Sequence, residues 1–354
     1  TPTHVIVLFG GESAEHDVSC VTAAHVLRAL DPQKYRVSAI GITREGKWNL
    51  ATQAMADLKR GSEHVGPKLS TEGDPTSISV VVGEARNGAQ TVVFPLLHGP
   101  LGEDGTIQGF FEMADIPYVG SGVLASSVAM DKTFAKPIYA DFGLAVADGI
   151  TVHQRDWIAQ RELEIAKIKA LGLPVFVKPA RSGSSRGTTK VKSDSEIAPA
   201  IEEAHRHDPR AMVEVAIKGR EIECAVLEIN GKAHAAVRGE IRVHEPHEFY
   251  DFEAKYLDGS TTFDVPANVT PEIARAISDA AVTAFEALGC EGLARVDFFL
   301  TEENQVIINE LNTMPGFTSM SVFPMLWKAT GKSYSEVITQ LCESALARPK
   351  NVIR

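Results

Sequence analysis

The stretch LARVDFFLTEENQVIINELN, residues 293–312, decides how this chain is read. Two apolar runs rich in β-branched and aromatic residues flank a polar Glu303-Asn304 turn, the pattern of an antiparallel hairpin. Strand alternation then sets Asp297 opposite Glu310 and Arg295 opposite Asn312, all four on one face, with Phe299 and Ile308 beside them. Val296, Phe298, Leu300, Ile307 and Leu311 line the other face as core, and Asn309, opposite Phe298, is its one polar exception. Two directly opposed carboxylates repel unless a cation lies between them. Two carboxylates and an amide are hard oxygen donors that suit Mg²⁺, which takes its remaining ligands from water and substrate phosphates. A plainer alternative fits the same alternation: a solvent-facing strand on which Arg295 pairs with the acids.

Upstream, VFVKPARSGSSRGTTKV (175–191) is a strand that breaks into a Gly/Ser loop. Its lysine precedes the loop, so this is not a Walker P-loop. Lys178 at the strand end and backbone N–H groups over Gly183–Gly187 would suit an anion, whereas a flexible connector has the same composition. AMVEVAIKGREIECAVLEING (211–231) gives two strands divided at Lys218-Gly219, SEIAPAIEEAHRH (195–207) a capped helix, and MDKTFAKPIYADFG (130–143) another helix. The charged segment 244–260 reads as a lid.

At the N-terminus, VIVLFGG (5–11), a helical run (15–30) and YRVSAIGIT (35–43) make a βαβ opening, which predicts a parallel sheet with ligands at the carboxyl ends of its strands. GGESAEHDVS (10–19) carries Glu12, Glu15 and Asp17 where that first strand meets its helix. It lacks Gly-x-Gly-x-x-Gly, so a nicotinamide dinucleotide is a poor fit. A carboxylate there suits a substrate ammonium, or it simply complements the helix dipole. Strands are expected at 77–83 and 91–97, after which HGPLGEDGT (98–106) sets His98 at a strand end before a glycine-rich turn. Such a histidine is either functional or structural. The polar stretch 51–77 reads as the least ordered part of the sequence.

The whole chain has 354 residues, 44% hydrophobic and 23% charged, with 35 basic against 46 acidic residues, a net charge of −11. That balance argues against a general nucleic-acid or anionic-membrane surface. The four cysteines are widely spaced, giving neither a zinc pattern nor a disulfide framework. Without a signal segment or an apolar run of about 20 residues, the expected location is the cytoplasm.

In order and spacing, GGESAEHDVS, LLHGPLGEDGTIQG, VAMDKTFAK, VKPARSGSS, EFYDFEAKY, RVDFF and NELNTMPGFTSMS closely resemble the D-alanine:D-alanine ligases of the ATP-grasp superfamily, over nearly the whole chain. The resemblance implies an α/β chain, α+β overall, of ATP-grasp architecture. Its expected parts are an N-terminal parallel α/β domain (1–122), a central ATP-grasp domain (123–217) and a C-terminal one (218–354), the last two sandwiching ATP. It further implies that ATP activates one D-alanine as an acyl phosphate and that a second D-alanine displaces the phosphate, for peptidoglycan precursor and cell-wall synthesis. Two Mg²⁺ ions, or Mn²⁺, are implied, and a monovalent cation such as K⁺ is compatible. A homodimer is expected.

By the same resemblance, Glu15 holds the ammonium of the first D-alanine and His98 lies near its carboxylate. Lys132 and Lys178 contact phosphates. Ser184, in a loop that closes on the site, orients Glu15 and Tyr256. Glu214 and Glu221 face adenine and ribose, Ile217 offers backbone to the adenine edge, and Phe299 flanks the ring. Lys255 and Tyr256 come from the lid, Lys255 near the phosphates. Asp297, Glu310 and Asn312 hold the metals, Arg295 and the Gly316 amide stabilise the oxyanion, and Ser321 takes the second carboxylate. His16 and Asp17 depart from the Arg and Glu of several relatives, and Val215 from a lysine of some; these bear on nucleotide affinity more than on reaction type. Retention of the lid sequence favours the dipeptide over D-alanyl-D-lactate. A D-serine or D-lactate product and a non-catalytic nucleotide-binding regulator are the alternatives.

Overall fold

Strand β1 (Thr3–Gly10) is apolar from Val5 and buried from His4 onward, as a central strand covered on both faces requires. In the computed structural model, which describes residues 2–77, 80, 83, 90–243 and 261–349, β1 runs parallel to β2 (Tyr35–Ile42) and β5 (Thr91–Pro95). The helix His16–Ala29 makes the crossover from β1 to β2. Strands β3 (Trp48–Leu50) and β4 (Asp74–Pro75) extend the β2 edge antiparallel, in the order β4-β3-β2-β1-β5. The stretch 51–77 is more ordered than its composition suggests. Thr52–Arg60 is a helix because Ala54, Met55 and Leu58 recur at helical spacing and pack on the core, followed by buried Val65 and Leu69. The strand expected at 77–83 is not borne out where the stretch is described, since Val80 and Gly83 are helical; its other residues after Ser77 lie outside the described residues.

The second sheet contains β6 (Gly149–His153), β7 (Val175–Pro179), β8 (Thr189–Val191) and β9 (Arg210–Val215), all antiparallel, in the order β6-β9-β7-β8. Its covering helix, Asp194–His205, starts with a Ser193/Glu196 capping box. The third sheet orders β10 (Gly219–Ile229), β11 (Lys232–Val243), β12 (Thr261–Asp264), β13 (Leu293–Thr301) and β14 (Val306–Asn312) as β12-β11-β10-β13-β14. Behind it lies the helix Pro271–Ala287, capped by Thr270, with Ile277, Ala281 and Phe285 against Val296 and Phe298. A parallel-centred α/β sheet followed by two antiparallel sheets backed by helices is the α/β, α+β overall, class expected.

The hairpin register follows the alternation at its functional end and departs from it near the turn. Arg295 pairs with Asn312 and Asp297 with Glu310, but a bulge then shifts the partners, so Phe298 faces Ile308 and Phe299 faces Ile307. Asn309 is the extra residue. The bulge lets its amide turn to Lys178, whose Nζ donates to Asn309 Oδ1 at 3.4 Å, while Ile308 enters the core beside Phe298. A simple two-residue period buries the asparagine and exposes the isoleucine; the extra residue reverses both.

One hydrophobic cluster joins the two ends of the chain. Val5, Val7, Phe9 and Phe94 of the first sheet share it with Leu227 and Leu293 of the third sheet and with Phe317, Phe323 and Leu341 beyond it. Phe317 is fully buried, with ring centroids 5.7 Å from Phe94, 5.8 Å from Phe323 and 5.5 Å from Tyr334. Phe317→Ala is expected to cost about 3–5 kcal/mol, the usual range for emptying a buried aromatic position, and urea denaturation checks it. Because the cluster spans both ends, probes in the first and third sheets should report the same lowered midpoint.

Candidate active site

The second and third sheets enclose a cleft of about 450 Å³ lined by Lys132, Lys178, Ser184, Glu214, Ile217, Glu221, Asp297, Phe299 and Glu310. Each residue reaches it for a local reason. Lys178 stands in β7 next to the Gly/Ser loop, Glu214 in β9, and Ile217 in the short link to β10. Alternation of β13 turns half-buried Asp297 and Phe299 toward the cleft while burying Val296, Phe298 and Leu300.

The helix Lys132–Asp141 supplies a second lysine that the motifs did not single out. Asp131 caps this helix, accepting from Thr133 N at 3.1 Å, and is itself ion-paired to Arg210. Lys132 and Lys136 then lie one turn apart on one face. Lys132 Nζ sits 3.4 Å from Glu310 Oε2 and donates to Ser182 O at 2.9 Å. Lys136 and Lys178 both ion-pair with the Glu214 carboxylate, which is 3% exposed. Burial alone would raise the pKa of Glu214, but the two lysine charges overcome it and hold the acid down at about 2. Burial likewise opposes the charge on Lys178, yet Glu214 brings its pKa to a raised value. Lys136 is missing from a motif reading because within MDKTFAK it resembles any exposed helix lysine.

Arg295 grips Asp297 with two hydrogen bonds of 2.8 Å, and its Nε lies 3.2 Å from Glu223 Oε2. Asn312 Nδ2 donates to Asp297 Oδ2 at 3.2 Å. Among the described residues no group of three His, Cys, Asp or Glu side chains could hold a metal. The candidate set is the two carboxylates and one amide of Asp297, Glu310 and Asn312, all oxygen donors lining or adjoining the cleft. It fits Mg²⁺ as an open site whose remaining ligands come from elsewhere.

At the other end, Glu15 lies between two glycine turns. A Cβ on Gly99 would stand 3.0 Å from Glu15 Oε2, and one on Gly183 3.6 Å away. Ser184, in the left-handed region at φ 52°, donates from Oγ to Glu15 Oε1 at 2.6 Å. His98 Nδ1 donates to Met314 O at 3.2 Å, and buried Nε2 has no hydrogen-bond partner among the described residues. Burial lowers the His98 pKa more than Glu15 raises it, so the ring is neutral with an Nε2 lone pair. Burial, then the Glu15 charge, pushes Glu103 up to about 8. Gly316 adjoins Ser321, whose Oγ would be 3.3 Å from a Cβ there. Ser321 begins the helix Val322–Thr330, and its Oγ takes the Thr318 N–H at 3.0 Å. The expected lid residues Lys255 and Tyr256 lie outside the described residues.

Two antiparallel sheets closing on a cleft with phosphate-suited lysines and opposed carboxylates define the ATP-grasp class. Consistent with this, the D-ala D-ala ligase N-terminus model matches residues 4–121 and the D-ala D-ala ligase C-terminus model residues 138–343, so the chain belongs to the D-alanine–D-alanine ligase family. Curated relatives named D-alanine–D-alanine ligase include one from Streptomyces coelicolor, 47% identical over 98% of this chain and 93% of its own, and one from Nocardia farcinica, 48% identical over 97% of each. Among solved structures, the VanG D-Ala:D-Ser ligase from Enterococcus faecalis is similar at TM-score 0.83 and 36% identity, covering 98% of this chain and all of that one. The Coxiella burnetii D-alanine-D-alanine ligase is similar at TM-score 0.79 and 35% identity, covering 98% and 94%. No helix among the described residues is long and apolar enough to cross a membrane.

The depressed Glu214 pKa carries a pH signature. A carboxylate held near 2 in the fold and near its ordinary value when unfolded contributes stability that is fully present above about 4.5 and lost as pH falls toward 2. The stability gap between the wild type and Glu214→Gln should therefore be constant from pH 5 to 8 and shrink below pH 4.5, as measured by urea unfolding at stepped pH.

Proposed function

We propose that this chain joins two D-alanines into D-alanyl-D-alanine at the cost of ATP. The observation that carries the reading is a cleft lined by lysines and opposed carboxylates whose wall includes Ser184, which donates to Glu15 beyond it. A carboxylate is a poor electrophile, so its oxygen first attacks the γ-phosphorus and displaces ADP. The resulting acyl phosphate has a good leaving group, and the amine of the second D-alanine attacks its carbonyl, expels phosphate and loses a proton.

In this reading Glu15 holds the first ammonium, and His98 lies near the carboxylate of the same D-alanine. Lys132 and Lys178 face the phosphates, with Lys136 fixing Glu214 behind them. Ile217 offers backbone to the adenine edge, Phe299 flanks the ring, and Glu214 and Glu221 face adenine and ribose. Arg295 and the Gly316 N–H act on the carbonyl oxygen as charge develops there, and Ser321 at a helix N-terminus receives the second carboxylate. Lys255 and Tyr256 belong to the expected lid. Asp297, Glu310 and Asn312 would hold Mg²⁺, or Mn²⁺, which when bound offsets charge on the transferring phosphoryl group. We assign the three parts 1–122, 123–217 and 218–354 to first-substrate binding and to the two jaws around ATP. We further propose a cytoplasmic homodimer working on cell-wall precursors.

With Mg·ATP, the purified protein should release ADP with D-alanine and far less with L-alanine, and mass spectrometry should find D-alanyl-D-alanine. Equal release with both enantiomers would sink the reading. A D-alanyl-D-serine or D-alanyl-D-lactate product would instead favour the alternative that the similar D-Ala:D-Ser structure raises.

Ser184→Ala removes a hydrogen bond to a charged group, worth roughly 1.5–3 kcal/mol, so kcat/KM for the first D-alanine should fall about 10- to 100-fold. Initial rates at varied D-alanine check this. Unchanged kinetics would leave the loop without that role.

A further inference from the structure

Arg210, the first residue of β9, is not among the residues lining the cleft and takes no part in the mechanism above, yet it holds the residues on both sides of Lys132. Its Nη2 ion-pairs with Asp131 Oδ2, and its Nη1 donates to Thr133 Oγ1 at 3.0 Å. Thr133 Oγ1 in turn donates to Asp131 Oδ1 at 2.6 Å, so guanidinium, cap and threonine close a ring of contacts at the start of the helix. The Phe134 ring covers one face, its centroid 5.3 Å from Arg210 Cζ. The backbone repeats the connection: Ala180 N donates to Arg210 O, and Lys132 N to Ala180 O, each at 3.0 Å. This junction joins two bodies that apolar packing leaves separate. The helix is rooted through Ala135 and Tyr139 in the cluster of Val296 and Phe298 behind the third sheet. The second sheet has its own cluster around Val152, Val177 and Val213, and among the described residues the two clusters share no member. Lys132 thus stands on an element of the third sheet's body, while the arginine that fixes its neighbours comes from the second sheet. Arg210 also borders a second cavity of about 680 Å³, shared with Asp104, Phe134, Arg181 and Asp208 and with no residue that lines the cleft.

We propose that Arg210 is a positioning residue for the nucleotide phosphates: by gripping Asp131 and Thr133 it fixes where the Lys132 ammonium stands between the two sheets. This rests on the phosphate role given above to Lys132. Lysine is a point charge on a flexible stem, so its aim depends on where its backbone is held. A displacement of about 1 Å at a substrate-positioning contact can cost on the order of 10²-fold in rate. Arginine suits the task because its planar fork reaches the carboxylate and the hydroxyl at once, and both Arg210 and Asp131 are largely buried, which strengthens the pair.

Calorimetric binding of AMP-PNP with Mg²⁺, and of adenosine, to the whole chain tests this. Arg210→Ala should weaken AMP-PNP about 10-fold and adenosine less than about twofold, since only the former carries the phosphates that Lys132 meets. In steady state the same variant should raise KM for ATP and leave KM for D-alanine within about twofold. In a Lys132→Ala background, Arg210→Ala should cost AMP-PNP less than about twofold, because the group it positions is already gone. Arg210→Lys keeps the charge and only part of the fork, so it should fall between wild type and Arg210→Ala, and it carries the test if Arg210→Ala does not fold. The cavity beside Arg210 has room for the missing group, so guanidinium ion should return at least about threefold of the AMP-PNP affinity lost in Arg210→Ala, whereas urea at the same concentration should not. Equal losses for AMP-PNP and adenosine, or full additivity with Lys132→Ala, would overturn the proposal. If Lys132→Ala binds AMP-PNP like the wild type, the phosphate role of Lys132 fails and the proposal with it; if Lys132→Ala weakens AMP-PNP and Arg210→Ala does not, Arg210 alone fails.

Discussion

Asp297 and Glu310 stand opposite each other on adjacent antiparallel strands, and two part-buried carboxylates at that spacing are tolerable only within a field of cations. Much of the cleft follows from that constraint. Arg295 supplies one cation from the same strand. Lys132 supplies another from a helix, and it reaches Glu310 only because the Asp131 cap starts that helix at the right residue. Lys136 and Lys178 would in turn repel each other were Glu214 not buried between them. At this end of the cleft Lys132, Lys136, Lys178 and Arg295 are matched by Glu214, Glu223, Asp297 and Glu310. A triphosphate entering so balanced a site adds charge that these side chains have not set aside cations to meet, which is the physical reason for a nucleotide to arrive with divalent metal.

The amino-acid end is organised by close backbone approach instead of by charge balance. The carboxylate of Glu15 sits where the turns at Gly99 and Gly183 both come near it. A side chain on Gly99 would crowd that carboxylate, so glycine there keeps space for a small substrate. Ser184 accepts a left-handed backbone to aim its hydroxyl at Glu15, a conformation that costs a non-glycine residue free energy. Here the loop gives up local comfort for a directed donor.

The sequence made the fold class legible because its elements are strongly periodic. The βαβ opening, the capped Asp194–His205 helix and the β13–β14 hairpin each show a period that backbone geometry enforces. The pairing of Asp297 with Glu310 could be worked out from alternation alone. The Asn309 bulge could not, because one extra residue leaves no mark in composition and is chosen by what it gains, a contact with Lys178. Lys136 and Arg210 were hidden for a related reason. Each sits in a stretch whose polar residues are exposed in most proteins, and only tertiary packing turns them inward. The helix at Thr52–Arg60 went unread because its apolar stripe is three residues wide and surrounded by polar ones.

The cluster shared by β1, β5 and the segment around Phe317 has a consequence for biosynthesis. Strand β1 is made before the aromatic residues that complete its packing, which lie more than three hundred residues later. A nascent chain halted before Phe317 leaves one side of Phe94 without its aromatic neighbour. The first sheet can form its hydrogen bonds early, but its core closes only when the segment around Phe317 has been translated. A segment translated late therefore seals a strand translated early.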